Sequence, residues 1–152
     1  MIIYEEPAEY VAWFKLLFLI PVALIVAAVF LAFVKELESS IFLFFEGIIF
    51  VGIFYLLLPR RYQIYQDRLR MVLGGPFKID IPFSSIKQIN RISGVNRFLY
   101  SGVRFATSLK YVIEIRRSKG LDYIFSPSNG QFFQEQLELA IRNSKSLTYI
   151  TK

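Results

Sequence analysis

The sequence predicts an α+β protein: a two-helix transmembrane hairpin, then a small antiparallel β domain closed by an amphipathic helix. Three observations carry this. Two long apolar runs fill most of the first 59 residues, a period of two takes over after Pro59, and a final stretch returns to helical spacing. The chain has 152 residues, 55% hydrophobic, which is too apolar for a disordered segment. It has no Cys and no His. Disulfides, thiolate nucleophiles, zinc-thiolate sites and imidazole acid/base chemistry are therefore excluded.

The first run, Leu16 to Val34, is nineteen residues without a charge; the second, Ser39 to Pro59, is twenty-one with one charge, Glu46. Crossing a hydrocarbon core of roughly 30 Å takes about 20 apolar residues. The expected spans are about 12–34 and 40–58, within a membrane region of residues 1–59. Two buried helices in a soluble protein would need a larger remainder to hide them than residues 60–152 supply. The connector Lys35-Glu36-Leu37-Glu38-Ser39-Ser40 suits an antiparallel hairpin, with Ser39 or Ser40 as cap of the second helix. Pro7 fits the first turn of the first helix. Pro21 should kink the first span by freeing a carbonyl one turn back. The tail from Met1 to Tyr10 carries Glu5, Glu6 and Glu9 and no basic residue, unlike the positive start of a signal peptide. An uncleaved span is expected.

Charge orients the hairpin. Residues 1–59 carry a net charge of −4 and residues 60–152 of +10. Arg60, Arg61, Arg68 and Arg70 follow the second run, whereas the connector has one basic residue, Lys35. The positive-inside rule then places both termini in the cytoplasm of a multi-pass inner (cytoplasmic) membrane protein. Tyr10, Trp13, Phe14, Tyr55 and Tyr62 would form an aromatic belt at that interface.

Residues 60–144 read as a cytoplasmic domain of six or seven short strands. Tyr62-Gln63-Ile64-Tyr65 is followed by a turn at Asp67, and Leu69, Met71 and Leu73 alternate with more polar neighbours. Gly74-Gly75-Pro76 is a turn. Phe77, Ile79, Ile81 and Phe83 alternate with Lys78, Asp80 and Pro82, the proline marking a strand edge or end. Residues 86–92 have a period nearer three, which fits a short helical turn or a bulged strand. Residues 93–107 are ambiguous. Leu109, Tyr111, Ile113 and Ile115 form another alternating set, then Ser118-Lys119-Gly120 turns into Leu121, Tyr123 and Phe125. Ser128 and Gln131 fit a capping box. Phe133, Leu137, Ala140 and Ile141 then share one helical face. Residues 145–152 are expected to be a frayed tail.

The order and spacing of these segments resemble the bacterial pleckstrin-homology-like (YyaB-like) domain of small two-span membrane proteins. The carriers are Tyr62 to Leu69, Ile81-Pro82-Phe83-Ser84-Ser85-Ile86, Ser108 to Ile115 and Ile124-Phe125-Ser126-Pro127 before a helix near Phe132-Phe133. Together they cover roughly residues 60–142. The resemblance implies a bent antiparallel sandwich or open barrel, with the helix plugging one end. It implies a membrane setting and no activity. A longer, aromatic 93–105 segment departs from the pattern.

No phosphate-loop, dinucleotide, zinc-protease or nucleophile-elbow motif occurs. No catalytic, cofactor-binding or metal-ligating residue is assigned, and no enzyme is expected. Asp80, Glu114 and Asp122 read as solvated surface. Arg60, Arg61, Arg68 and Arg70 are the candidate lipid-facing residues, because a basic residue near an anionic leaflet contributes about 1 kcal/mol. The basic residues are scattered singly, which argues against nucleic acid as partner. Glu46 interrupts the second span, and Gly47 beside it, with Ala23/Ala27 and Ala28/Ala32, allows close helix contact. Glu46 and Gly47 are the candidate intramembrane interaction site. The expectation is a membrane-anchored, non-catalytic binding module contacting anionic lipid headgroups, a protein partner, or itself through the spans. The alternative is an accessory subunit of a transport or envelope-assembly complex that uses the hairpin and Glu46.

Overall fold

The computed structural model describes residues 1–92, 102–108 and 110–150, apart from the side chains of residues 13, 14 and 147–150. The chain forms two compact units: Met1–Glu9 with Pro59–Lys152, and Tyr10–Leu58. The first unit is mixed α+β. Its strands are β1 (Ile2–Pro7), β2 (Arg61–Tyr65), β3 (Arg68–Val72), β4 (Lys78–Pro82), β5 (Ile86–Ile92), β6 (Val103–Phe105), β7 (Val112–Arg117) and β8 (Tyr123–Phe125). They pair in the orders β1-β2-β3-β4 and β5-β7-β8-β6.

The period of two does what a half-buried sheet requires. Tyr62, Ile64, Leu69, Met71 and Ile81 of the first sheet meet Ile113, Ile115 and Phe125 of the second in one buried cluster. Phe133, Leu137, Ala140 and Ile141 join it from α4 (Gly130–Ile150). The helix face read from spacing is thus the buried one. Tyr62 lies wholly in this core, with its ring centroid 4.9 Å from that of Phe125, so it is no part of an aromatic belt.

Several expectations are corrected. Met1 to Tyr10 is not a tail ahead of a helix. Ile2–Pro7 is an edge strand antiparallel to β2, and Pro7 ends that strand opposite Arg61. A proline is tolerated there because an edge strand has a side without ladder bonds. Residues 86–92 are the bulged strand: register shifts between Ile86 and Gln88, which is why the apolar spacing reads nearer three than two. The second sheet is not purely antiparallel, since β6 runs parallel to β8. The chain leaves β6 and enters β7 in the opposite direction, two positions away in the sheet. β8 then fills the gap antiparallel to β7, and so parallel to β6. Leu109 and the 93–101 part of the ambiguous segment lie outside the described residues.

The start of α4 is also built differently. The Ser128–Gln131 capping box does not form. Ser128 Oγ and the Asn129 N–H both donate to Glu6 Oε1 of β1, at 2.5 and 3.0 Å. A carboxylate there satisfies free donors and faces the positive end of the helix dipole. Gln131 Nε2 instead donates to Glu135. The helix continues beyond Asn143 to Ile150, through most of the stretch expected to fray.

The second unit holds α1 (Ala12–Leu16), α2 (Leu19–Phe33) and α3 (Leu37–Leu57). Among the described residues only α3 is long and apolar enough to cross a membrane, at 21 residues and about 31 Å. The expected 12–34 span is interrupted, and α2 alone is about 22 Å long, with 15 residues. Pro21 explains the break. It sits in the first turn of α2, where its missing N–H removes no helical bond, and its ring excludes a regular helix one turn back. At that point Phe18 N–H donates to Lys15 O and Ile20 N–H to Leu17 O, at 3.1 and 3.2 Å. α2 and α3 pack antiparallel. Ser40 caps nothing; its Oγ donates to Ala28 O at 2.8 Å. A Cβ on Gly47 would lie 2.8 Å from Ile25 Cγ1 and 3.4 Å from Pro21 O. Lys35 takes a left-handed conformation (φ 68°) between the helices.

Candidate functional site

The outer face of the first sheet collects three of the four arginines singled out above. Residues 61, 63 and 65 alternate outward from the buried Tyr62 and Ile64, and residues 68 and 70 outward from the buried Leu69 and Met71. Cross-strand register then aligns Glu5, Gln63, Arg70 and Asp80 in one row across all four strands. Gln63 Nε2 donates to Glu5 Oε2 at 2.6 Å. Arg70 grips Asp80 with two bonds, Nε to Oδ1 at 2.6 Å and Nη2 to Oδ2 at 3.0 Å. Its Nη1 also donates to the Tyr65 hydroxyl at 3.2 Å. Two parallel N–H···O bonds give an arginine–carboxylate pair its directional strength.

The neighbours complete the patch. Arg61 Nη1 donates to Glu5 Oε1 at 2.8 Å. Arg68 Nε lies 3.5 Å from Asp67 Oδ1 without hydrogen-bond geometry, and Arg68 Nη1 lies 3.9 Å from Asp80 Oδ2. The guanidinium carbons of Arg68 and Arg70 stand 5.5 and 4.8 Å from the Tyr65 ring centre, within cation–π range. Arg60 is exposed, and its backbone bonds Val72 O and the Ala8 N–H. The Arg70 guanidinium holds the Asp80 carboxyl below its usual range against the opposing effect of burial, with the charges of Arg68 and Lys78 adding to it. Arg70 is raised in turn, chiefly by its bond to Asp80. Arg61, Arg68 and Arg70 are therefore a face of paired charges, not a bare cationic surface.

Glu6 and Glu9 show the same logic at the other edge. Burial alone would raise Glu6, but bonds from Ser128, Tyr4 and the Asn129 N–H outweigh it and lower its pKa. Tyr4 is pushed up to about 12 by burial and by its bond to Glu6. Burial also works against Glu9, and Ser108 and Lys110 overcome it, with Lys110 Nζ at 3.0 Å. Sequence reasoning missed Glu5, Glu6 and Glu9 as partners of the β domain. The available signal was charge complementarity: an acidic segment, Glu5 to Glu9, in a chain whose domain carries +10.

Asp80, Glu114 and Asp122 do not converge. Asp80 belongs to the arginine row, and Asp122 Oδ1 accepts the Arg117 N–H at 2.7 Å. Glu114 is buried rather than solvated, held by Asn90 Nδ2 at 2.9 Å and Arg116 Nε at 3.0 Å. Among the described residues no group of three or more His, Cys, Asp or Glu could hold a metal ion. In the helical unit, Glu46 is half-buried, about 14 Å along α3 from Leu37. Its carboxylate makes no hydrogen bond or ion pair among the described residues. Gly47 next to it is buried against α2. Comparison with family models, curated proteins and solved structures returns no match.

Proposed function

We propose that this chain is a membrane-anchored, non-catalytic binding module. A pleckstrin-homology-like domain would be held on the cytoplasmic side by two membrane crossings. One observation carries the reading. The apolar unit is inserted between two paired strands, β1 and β2, and the Ala8 N–H donates to Arg60 O at 3.0 Å. The two ends of the insertion are thus bonded together, so the chain returns to the side it left. If α3 crosses the membrane, residues 9–36 must cross it as well. The 15 residues of α2 fall short of the bilayer core, and α1 and the flanking turns supply the remaining length. Arg60 and Arg61 just after α3 favour the cytoplasm for both ends. Two sheets sharing one core with a closing helix is the arrangement the sequence resemblance implies. Anionic headgroups and a protein segment are the partners such a domain would take. The ion pairs of Arg61, Arg68 and Arg70 leave the protein segment as the favoured one.

The chain lacks cysteine, so single substitutions report topology directly. In sealed right-side-out vesicles, a membrane-impermeant maleimide should label Glu36→Cys at once. Lys119→Cys should react only after permeabilisation. Labelling of both from the same side would end the two-crossing reading.

The accessory-subunit reading draws on the carboxylate of Glu46, which has no partner among the described residues. A Glu46→Gln variant that loses a membrane complex while the domain stays folded would favour it.

A further inference from the structure

The β unit holds a groove whose cations, unlike the arginines of the first sheet, are not engaged by any of the described residues. β5 is a terminal strand of its sheet: among the described residues β7 flanks it on one side and no strand on the other. Beside it α4 contributes the opposite wall of a groove of about 250 Å³. Ile86, Ile89 and Ile141 give this groove an apolar lining, and Lys87, Arg142 and Lys145 give it a basic one. Ile86 and Ile89 pack against the core cluster and Ile141 is part of it, so the apolar side is fixed. Lys87 is the extra residue of the β5 bulge. Arg142 and Lys145 are three apart on α4 and so share a face. Lys87, Arg142 and Lys145 make no hydrogen bond or ion pair among the described residues. The one carboxylate in the groove, Glu138, is engaged by Gln134 Nε2 at 2.9 Å.

A bulge and a lysine on an edge strand are also the devices that stop edges from pairing with one another. That purpose accounts for Lys87. It does not call for two further cations on the helix wall, converging on the same groove. An apolar lining with a basic rim complements a chain that alternates carboxylates with aliphatic side chains. A bare phosphate would leave the isoleucines uncovered, and a flat bilayer surface does not enter a groove. Among the described residues no strand pairs with the outer edge of β5, and such an edge is what extended peptides use when they add to a sheet.

We propose that this groove binds an extended acidic segment of a protein partner. The segment lies along β5, with an aliphatic side chain on Ile86, Ile89 and Ile141 and carboxylates on Lys87, Arg142 and Lys145. This rests on the binding-module reading and names the class of its partner. The test uses the full chain in nanodiscs of neutral lipid and fluorescent peptides seven residues long, the length of β5. One pool alternates glutamate with degenerate aliphatic positions, and a second carries lysine in place of glutamate. The acidic pool should bind and the basic pool should not, and raising salt from low to physiological strength should weaken binding about tenfold. Joint substitution Lys87→Glu, Arg142→Glu and Lys145→Glu should reduce affinity by at least about tenfold at an unchanged melting temperature. Lys78→Glu with Lys119→Glu should change it by less than about twofold. If the triple variant does not fold, Arg142→Gln with Lys145→Gln carries the same expectation. Equal binding by wild type and groove variants overturns the proposal, as does no binding of the acidic pool to a folded chain. Capture of phosphatidylglycerol vesicles through the same three cations, without peptide binding, also overturns it and assigns the groove to lipid. The maleimide pattern above tests the anchoring reading separately, so the two can fail independently.

Discussion

The two units bury opposite kinds of residue. In the β unit the fully buried side chains are large: Tyr62, Phe125, Phe133, Ile64, Leu69 and Met71 among them. In α2 and α3 the buried residues are Pro21, Ala28, Ser40 and Gly47, while Phe33 is 84% and Phe42 70% exposed. Water drives large apolar groups inward, which is the first pattern. Apolar surroundings remove that drive, and helices then associate through small residues and short polar contacts, which is the second. If the helical unit lies in a membrane, as proposed above, the same hydrophobic alphabet serves two solvents within one chain. The Ser40–Ala28 bond and the Gly47–Ile25 approach are the expected means of contact in the second unit.

That contrast can be broken most severely in the β unit. Leu137→Asp would bury an unpaired carboxylate and should abolish cooperative unfolding of the β unit, because such burial costs several kcal/mol. Near-ultraviolet circular dichroism of the detergent-solubilised chain would register the loss of packing. A retained cooperative transition would mean that α4 does not depend on its core contact.

Steric tests come next, one in each unit. A Cβ on Gly130 would fall 2.1 Å from Tyr111 Cδ1, and the Tyr111 hydroxyl is tied to Gln134 Oε1 at 3.0 Å. Gly130→Ala should therefore destabilise the β unit by about 1–3 kcal/mol. Gly47→Leu should separate α2 from α3. Disulfide trapping of a cysteine pair at residues 28 and 40 should fall sharply, while the β unit melts normally. Loss of both readouts in either variant would show that the units are not independent in stability.

Removing the cap from α4 is a smaller perturbation. Glu6→Ala should cost about 1 kcal/mol, as loss of a helix N-cap does. Hydrogen exchange should rise first at the amides of residues 129–132. Unchanged exchange there would mean that Glu6 is dispensable to the helix.

The mildest effect is that of pH. Asp80, Glu6 and Glu9 all have lowered pKa values in the folded chain. Each therefore binds protons less readily folded than unfolded. The stability they add is present above the unfolded carboxylate range, about 4, and is lost as pH falls through the folded values. Midpoints of urea unfolding should hold from neutrality to about pH 5 and then decline. Asp80→Asn and Glu6→Gln together should flatten that decline; an unaltered slope would place its source elsewhere.

Much of the architecture follows from the sequence by itself. Local period decides it: alternation set the inward faces of β2, β3 and β4, and 3.6-residue spacing set Phe133, Leu137 and Ile141 on the core side of α4. The apolar length of α3 and the shared face of Arg68 and Arg70 follow in the same way. Tertiary structure alone decided partners. Glu5 meets Arg61 across 56 positions of sequence, and Glu6 meets Asn129 across 123. Ile2–Pro7 has no strong alternation of its own and becomes a strand because β2 offers it a free edge. The parallel β6–β8 pair and the Arg70–Asp80 grip likewise depend on which strand lies next door. Spacing is a property of one segment, read along the chain. Pairing is a property of two, and charges choose partners only after the fold has brought them within a few ångströms.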